Sequence, residues 1–103
     1  MDELEIIAAL RALGEQTRWR VMRLLVKSEQ GMAAGDIAAV LQVRQNTLSS
    51  HIAALLRSGL VDGDRRGRNI IYSADSKRAR RLVVHILTHL GEVPESSASK
   101  LKK

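Results

Sequence analysis

The chain has 103 residues, the size of one domain, which leaves no room for a binding domain beside a separate catalytic one. Apolar residues make up 45% of it and the formal charge is +6, while the absence of cysteine excludes disulfides, thiolate metal sites and cysteine redox switches. Phenylalanine is also missing, and Trp19 and Tyr72 are the only aromatics, too few rings for a base-stacking binder of single strands; duplex DNA is the better-matched polyanion.

Asp2 and Glu5 have the spacing of a capping box, and Ile6, Ile7, Ala9, Leu10 and Leu13 form an apolar stripe that predicts a first helix up to Gly14. Met1-Asp2-Glu3 leads straight into this stripe with no basic stretch followed by an apolar one. No apolar run approaches the roughly 18 residues of a membrane span, so a soluble, cytoplasmic protein without a membrane partner is expected. After the polar break Glu15-Gln16-Thr17, a second helix runs through Trp19, Val21, Met22, Leu24, Leu25 and Val26 and fades at Ser28-Glu29-Gln30-Gly31. Trp19, set in this stripe, is expected in the core.

Gly35-Asp36 has the composition of a third helix start, with Ile37, Ala38 and Leu41 as its apolar face. Gln42-Val43-Arg44 then connects to a fourth helix at 46–58, whose periodic run contains Leu48, Ile52, Leu55 and Leu56, with Leu48, Ile52 and Leu55 setting the buried direction, and whose end is Ser58-Gly59. Two short helices separated by about three residues predict a helix-turn-helix. The second helix of such a pair hides one face and offers short polar side chains to the major groove. At 100° per residue, Asn46, Thr47, Ser50, Ala54 and Arg57 lie opposite the buried side, with Ser49 and His51 on its flanks. Gln45 or Asn46 has the amide that pairs with adenine, Arg44 the fork that reaches guanine or a phosphate, and Thr47 and Ser50 hydroxyls for either. The bland alternative, that these residues only cap the helix and face water, stays open from sequence.

Leu60-Val61 and Asn69-Ile70-Ile71-Tyr72 are β-prone and flank Arg65-Arg66-Gly67-Arg68, where Gly67 supplies the positive φ of a tight hairpin. The charge is uneven: residues 1–64 hold 7 Lys/Arg against 8 Asp/Glu, and residues 65–103 hold 10 against 3. Arg65, Arg66 and Arg68 therefore read as a wing that follows the DNA backbone or enters the minor groove. Asp75 or Ser76 caps a fifth helix, whose Leu82, Val83, Val84, Ile86, Leu87 and Leu90 spread too widely for one packing face. One side should pack inward and the other against a second copy. Residues 93–103, with Pro94, serines and Lys100, Lys102 and Lys103, predict a flexible basic tail beyond a single domain of residues 1–92.

From Leu10 to Asp75 the chain resembles the ArsR family, the arsenical-resistance-type winged-helix repressors of bacteria. The likeness is carried by Leu13-Gly14-Glu15-Gln16-Thr17-Arg18, Ile37-Ala38 with Leu41, Asn46-Thr47-Leu48-Ser49-Ser50-His51-Ile52, Leu55 with Ser58-Gly59-Leu60-Val61, and Gly67-Arg68 with Ile71-Tyr72. The resemblance implies a mainly α winged helix-turn-helix with a small β-hairpin between the fourth and fifth helices. It also implies a dimer through the first and fifth helices, and a repressor released by a metal, metalloid or redox signal. Two departures stand out in the turn, Gln42 in place of glycine and Arg44 in place of the serine cap. The second shifts the expected cap to Asn46. With no cysteine, the metal candidates shrink to His85 and His89, four residues apart on one helix, with Asp75 and Glu92 as possible oxygen ligands for zinc. Because such a pair in an apolar helix is more often packing, no metal and no cofactor is the expectation.

The reading is a sequence-specific duplex-DNA-binding regulator, a homodimeric repressor on an inverted-repeat operator, with its inducer unread. The competing reading is a winged-helix module that binds protein. An enzyme is not expected, because no paired carboxylates, no nucleophile with an adjacent base and no glycine-rich phosphate loop occur.

Overall fold

The computed structural model describes residues 1–91; the tail at 93–103 and Glu92 lie outside the described residues. Its elements are α1 (Glu3–Leu13), α2 (Gln16–Lys27), β1 (Met32–Ala33), α3 (Ala34–Leu41), α4 (Gln45–Ser58), β2 (Val61–Arg66), β3 (Asn69–Ala74) and α5 (Ser76–His89). The three strands form an antiparallel sheet in the order β1-β3-β2.

α1 starts as its capping box requires, with the Glu5 amide donating to Asp2 Oδ1 at 2.8 Å and the Asp2 amide to Glu5 Oε1 at 3.2 Å. α2 begins three residues before Trp19, because Glu15 caps it: the Glu15 carboxylate accepts from the amides of Thr17 and Arg18. What looked like a polar break is a helix start. Trp19 is half exposed, at 52%, not a core residue, since Val21, Met22 and Leu25 supply the buried side of α2.

The core gathers Ile6, Ala9 and Ala12 of α1, those three residues of α2, Ile37 and Ala38 of α3, and Leu48, Ile52 and Leu55 of α4 around Leu60 and Val61. Leu25, Ile37, Leu48, Leu55 and Leu60 are almost wholly enclosed, and truncating any one to alanine should cost about 2–5 kcal/mol. α5 contributes a single buried residue, Leu82, and shows Val83, Val84, Leu87 and Leu90 to solvent. Its start is as expected, with Asp75 Oδ1 accepting from the Arg78 amide at 2.9 Å.

α3 starts at Ala34, and Asp36 lies in its first turn instead of capping it. α4 starts at Gln45 with Arg44 at the cap position and no side-chain cap bond, so Asn46 is not the cap. The hairpin pairs Arg66 with Asn69, leaving Gly67-Arg68 as a two-residue loop. Only Gly67 has positive φ, at 62°, the pattern of a type II′ turn whose twist suits the flanking strands. β1 was not foreseen. Its two residues pair Met32 with Tyr72 and Ala33 with Ile71, too short a segment to show any alternation.

Candidate nucleic-acid interface

Burial of Leu48, Ile52 and Leu55 fixes the rotation of α4. Arg44, Gln45, Asn46, Thr47, Ser49 and Ser50 are consequently all exposed at its N-terminal end. Asn46 Oδ1 accepts from the Thr47 amide at 2.8 Å, Ser49 Oγ donates to the Gln45 carbonyl at 3.0 Å, and Ser50 Oγ donates to the Thr47 carbonyl at 3.0 Å. Each hydroxyl keeps its acceptor lone pairs facing solvent, while the Asn46 side chain retains both amide donors. The first-turn backbone amides and the positive end of the helix dipole point the same way, which favours phosphate oxygens.

The outward stripe does not run the length of the helix. Ala54 is half buried, and with Arg57 it lines a concavity against Ala8, Arg11 and Ala12 of α1, so the groove-facing part of α4 ends near Ser50.

His51 is likewise turned away from that stripe. Its side chain is only 17% exposed, with Nδ1 3.1 Å from Arg18 Nη1 and Nε2 3.7 Å from Glu15 Oε2. A guanidinium can only donate, so Nδ1 must accept and the ring proton lies on Nε2, towards the carboxylate. Arg18 also donates from Nε to the Ala12 carbonyl at 2.6 Å and from Nη2 to the Arg11 carbonyl at 3.3 Å, closing the C-terminal end of α1. Burial alone would raise the Glu15 pKa, but the amides of Thr17 and Arg18, together with His51 and Arg18, outweigh it and hold the carboxyl below its ordinary range. Glu15, read in sequence as part of a polar break, and Arg18, noted there only within the family-like motif, tie α1, α2 and α4 together.

A second tie holds the other end of α4. Gly59 takes the left-handed conformation, and a Cβ there would stand 2.5 Å from Arg78 Nε, which donates to the Ser58 carbonyl at 3.1 Å. Ser58, the one buried polar residue among those described, donates its hydroxyl to the Leu55 carbonyl at 2.7 Å.

The three wing arginines are exposed but not equivalent. Arg65 and Arg66 are adjacent on β2 and so project from opposite faces of the hairpin. Arg66 Nε lies 3.1 Å from Asp64 Oδ2, an exposed ion pair. Arg68, in the loop, lines a cleft of about 230 Å³ together with Gln45, Gly35, Asn69 and Tyr72. The wing tip and the first residue of α4 therefore share one concave surface.

The metal candidates do not come together. His85 and His89 have ring centroids 6.5 Å apart at a tilt of 40°, on the last turns of α5. Asp75 is committed at the opposite end of that helix, about 15–20 Å away at the α-helical rise. No group of three or more His, Cys, Asp or Glu able to hold a metal occurs among the described residues. No helix among them is long and apolar enough to cross a membrane.

A family profile described as a helix-turn-helix domain matches residues 13–64, from the end of α1 into β2. Over 82 residues the chain is 25% identical to the transcriptional activator HlyU of Vibrio cholerae, covering 80% of this chain and 74% of that protein. Over 79 residues it is 30% identical to the biofilm growth-associated repressor of Agrobacterium fabrum, covering 77% and 66%. The solved structure of an ArsR-like transcriptional regulator from Rhodococcus sp. RHA1 superposes with a TM-score of 0.76 at 26% identity, over 96% of this chain and 91% of that one.

Proposed function

Because the chain belongs to the helix-turn-helix domain family, as an ArsR-family winged-helix regulator of transcription that binds DNA, we propose that it works as a homodimeric repressor on an inverted repeat. The observation that carries this reading is the shared surface of α4 and the wing, where Gln45 and Arg68 line one cleft and Asn46, Thr47, Ser49 and Ser50 are exposed on the same first turns of α4. Gln45 and Asn46 read adenine edges, Arg44 reaches a guanine or a phosphate, and Thr47, Ser49 and Ser50 contact phosphate or base. Arg65, Arg66 and Arg68 grip the backbone. His51 serves the interface from behind, fixing the tilt of α4 through Arg18 and Glu15.

Dimerisation is supported by what α1 and α5 leave uncovered. Leu4, Ile7 and Leu10 on one and Val84, Leu87 and Leu90 on the other are exposed on neighbouring helices, with Leu4 and Leu90 about four-fifths exposed. A two-fold pairing of these helices would present two α4 helices to successive major grooves, so half-sites should lie about one helical turn apart. Residues 1–92 form the binding and dimerising unit, acting in the cytoplasm.

The test is a titration of duplex fragments from upstream of the protein's own gene, followed by fluorescence anisotropy. With six to ten phosphate contacts per dimer, affinity should fall by about 10³ to 10⁵ between 50 and 200 mM salt. Salt-independent binding would overturn the DNA interface and favour a protein partner. Arg66→Ala or Arg68→Ala should weaken all sequences alike and lower the slope of log affinity against log salt by about 0.9 for each phosphate no longer neutralised. Loss of sequence preference instead would make the wing a reader of bases.

A further inference from the structure

Between α2 and α5 lies a cavity of about 330 Å³ that shares no lining residue with the α4–wing cleft. Trp19, Met22 and Val26 of α2 face Leu82 and Val83 of α5 across it. Trp19, Val26 and Val83 are each more than half exposed, so this apolar floor is open to solvent. The rest of its lining comes from the apolar stems of Arg23 and Lys27, exposed and one helical turn apart on α2, whose charged ends lie outside the apolar wall; no acidic residue is among its walls. Among the described residues neither cation has an ion-pair partner.

An apolar floor with two unpaired cations fits a ligand of one kind. Its volume lies at the lower end of the roughly 300–1,000 Å³ of small-molecule sites, too small to seat a partner helix with its flanking side chains. An apolar body would cover Trp19 and Val83, and an anionic head left at the mouth of the cavity would be within reach of the exposed ends of Arg23 and Lys27 for charge-assisted hydrogen bonds. We propose that the α2–α5 cavity is a binding site for a small amphipathic carboxylate. Its position suits a signal, since α5 also carries the exposed Val84 and Leu87, while α2 is tied at its N-terminal end to α4 by Arg18 and His51. That role as a signal rests on the function proposed above. The binding itself does not, so it is tested without DNA.

Trp19 is the only tryptophan and therefore an internal reporter. The full chain is titrated with decanoate below its micelle-forming range, and with decanol as the uncharged counterpart, while Trp19 emission is followed. Decanoate should produce a saturable change at one site per chain, and decanol should bind at least tenfold more weakly. The double variant Arg23→Gln, Lys27→Gln, at exposed positions, should lose at least tenfold in decanoate affinity with an unchanged circular dichroism spectrum. Ala79→Phe, which places a ring in the cavity, should abolish the saturable change, provided thermal unfolding remains cooperative.

No saturable response overturns the proposal, as does equal affinity for decanol and decanoate or indifference to loss of both cations. A response that follows protein concentration instead of decanoate would mark the cavity as an interface between copies and overturn it too. Failure to bind an operator, with the decanoate response intact, would refute the repressor reading and leave this site standing.

Discussion

At the start of α4 the exposed residues are Arg44, Gln45, Asn46, Thr47, Ser49 and Ser50; along α1 and α5 and at the end of α5 the exposed residues include the large apolar Leu4, Ile7, Leu10, Val84, Leu87 and Leu90. Both sets face solvent, but they differ in what water does for them. The polar set is well hydrated and loses nothing while it waits for a ligand. The apolar set leaves surface in water at a cost of about 25 cal/mol per Å², a standing drive towards cover. The first surface is therefore suited to a reversible partner such as DNA, and the second to a permanent one such as another copy of the chain.

The sharpest way to break this comparison is to charge the second surface. Val84→Asp combined with Leu87→Glu should turn the dimer into a monomer in sedimentation, with helical content retained, because both side chains are exposed in the protomer. Operator affinity should then fall by a factor on the order of 10² or more, since two linked half-sites become two independent ones. A dimer that survives the change would move the interface elsewhere. The complementary change, Ser50→Glu, should leave the dimer intact and weaken operator binding by about 1–3 kcal/mol per half-site, by placing an acid against base edges and phosphates. Retained affinity would remove Ser50 from the groove-facing side.

The helix-turn-helix and its rotation were legible because burial obeys a period. Leu48, Ile52 and Leu55 define a side of α4, and the opposite side follows from geometry. Gly59 and Gly67 were equally legible, because a helix end and a tight hairpin need left-handed backbone there. Three features were not. Trp19 sits at apolar spacing in a helix whose partner on that side, α5, stands off and leaves a cavity, and sequence periodicity carries no information about that separation. His51 falls on the flank of the wheel, and only the packing of α2 against α4 turns it towards Glu15 and Arg18. The outward line is interrupted at the half-buried Ala54, which with the exposed Arg57 lines a concavity against α1, a meeting of segments about 45 residues apart in the chain.

The junction at Glu15 joins the two surfaces and gives the comparison a pH test. A carboxyl whose pKa is lowered by folding contributes stability in full above its unfolded value, and that contribution is lost as pH falls through the lowered folded value. Glu15→Gln should therefore be less stable than the parent at neutral pH in urea unfolding, and the gap should close in acid below the ordinary carboxylate range. A gap that persists in acid would assign the effect to packing instead of charge. Because His51 leans on the same carboxylate, the variant should also loosen the start of α4, read as faster amide hydrogen exchange at Gln45–Leu48.

The smallest expected effect concerns Gln42, the single non-glycine residue with positive φ among those described, at φ 57° and ψ 44° between α3 and α4. A left-handed conformation costs an L residue about 1–2 kcal/mol, and glycine gives back about 0.5–1 kcal/mol of that through its larger unfolded-state entropy. Gln42→Gly should accordingly stabilise the protein by about 0.5 kcal/mol, visible as a small rise in the urea midpoint with unchanged slope. The same variant asks how far the DNA surface extends, because Gln42 is exposed two residues before Arg44. If operator affinity is unchanged while stability rises, the polar surface begins at Arg44 and Gln42 is strain without function. If affinity falls as stability rises, the turn itself reaches the duplex, and its strained glutamine belongs with Gln45 and Asn46.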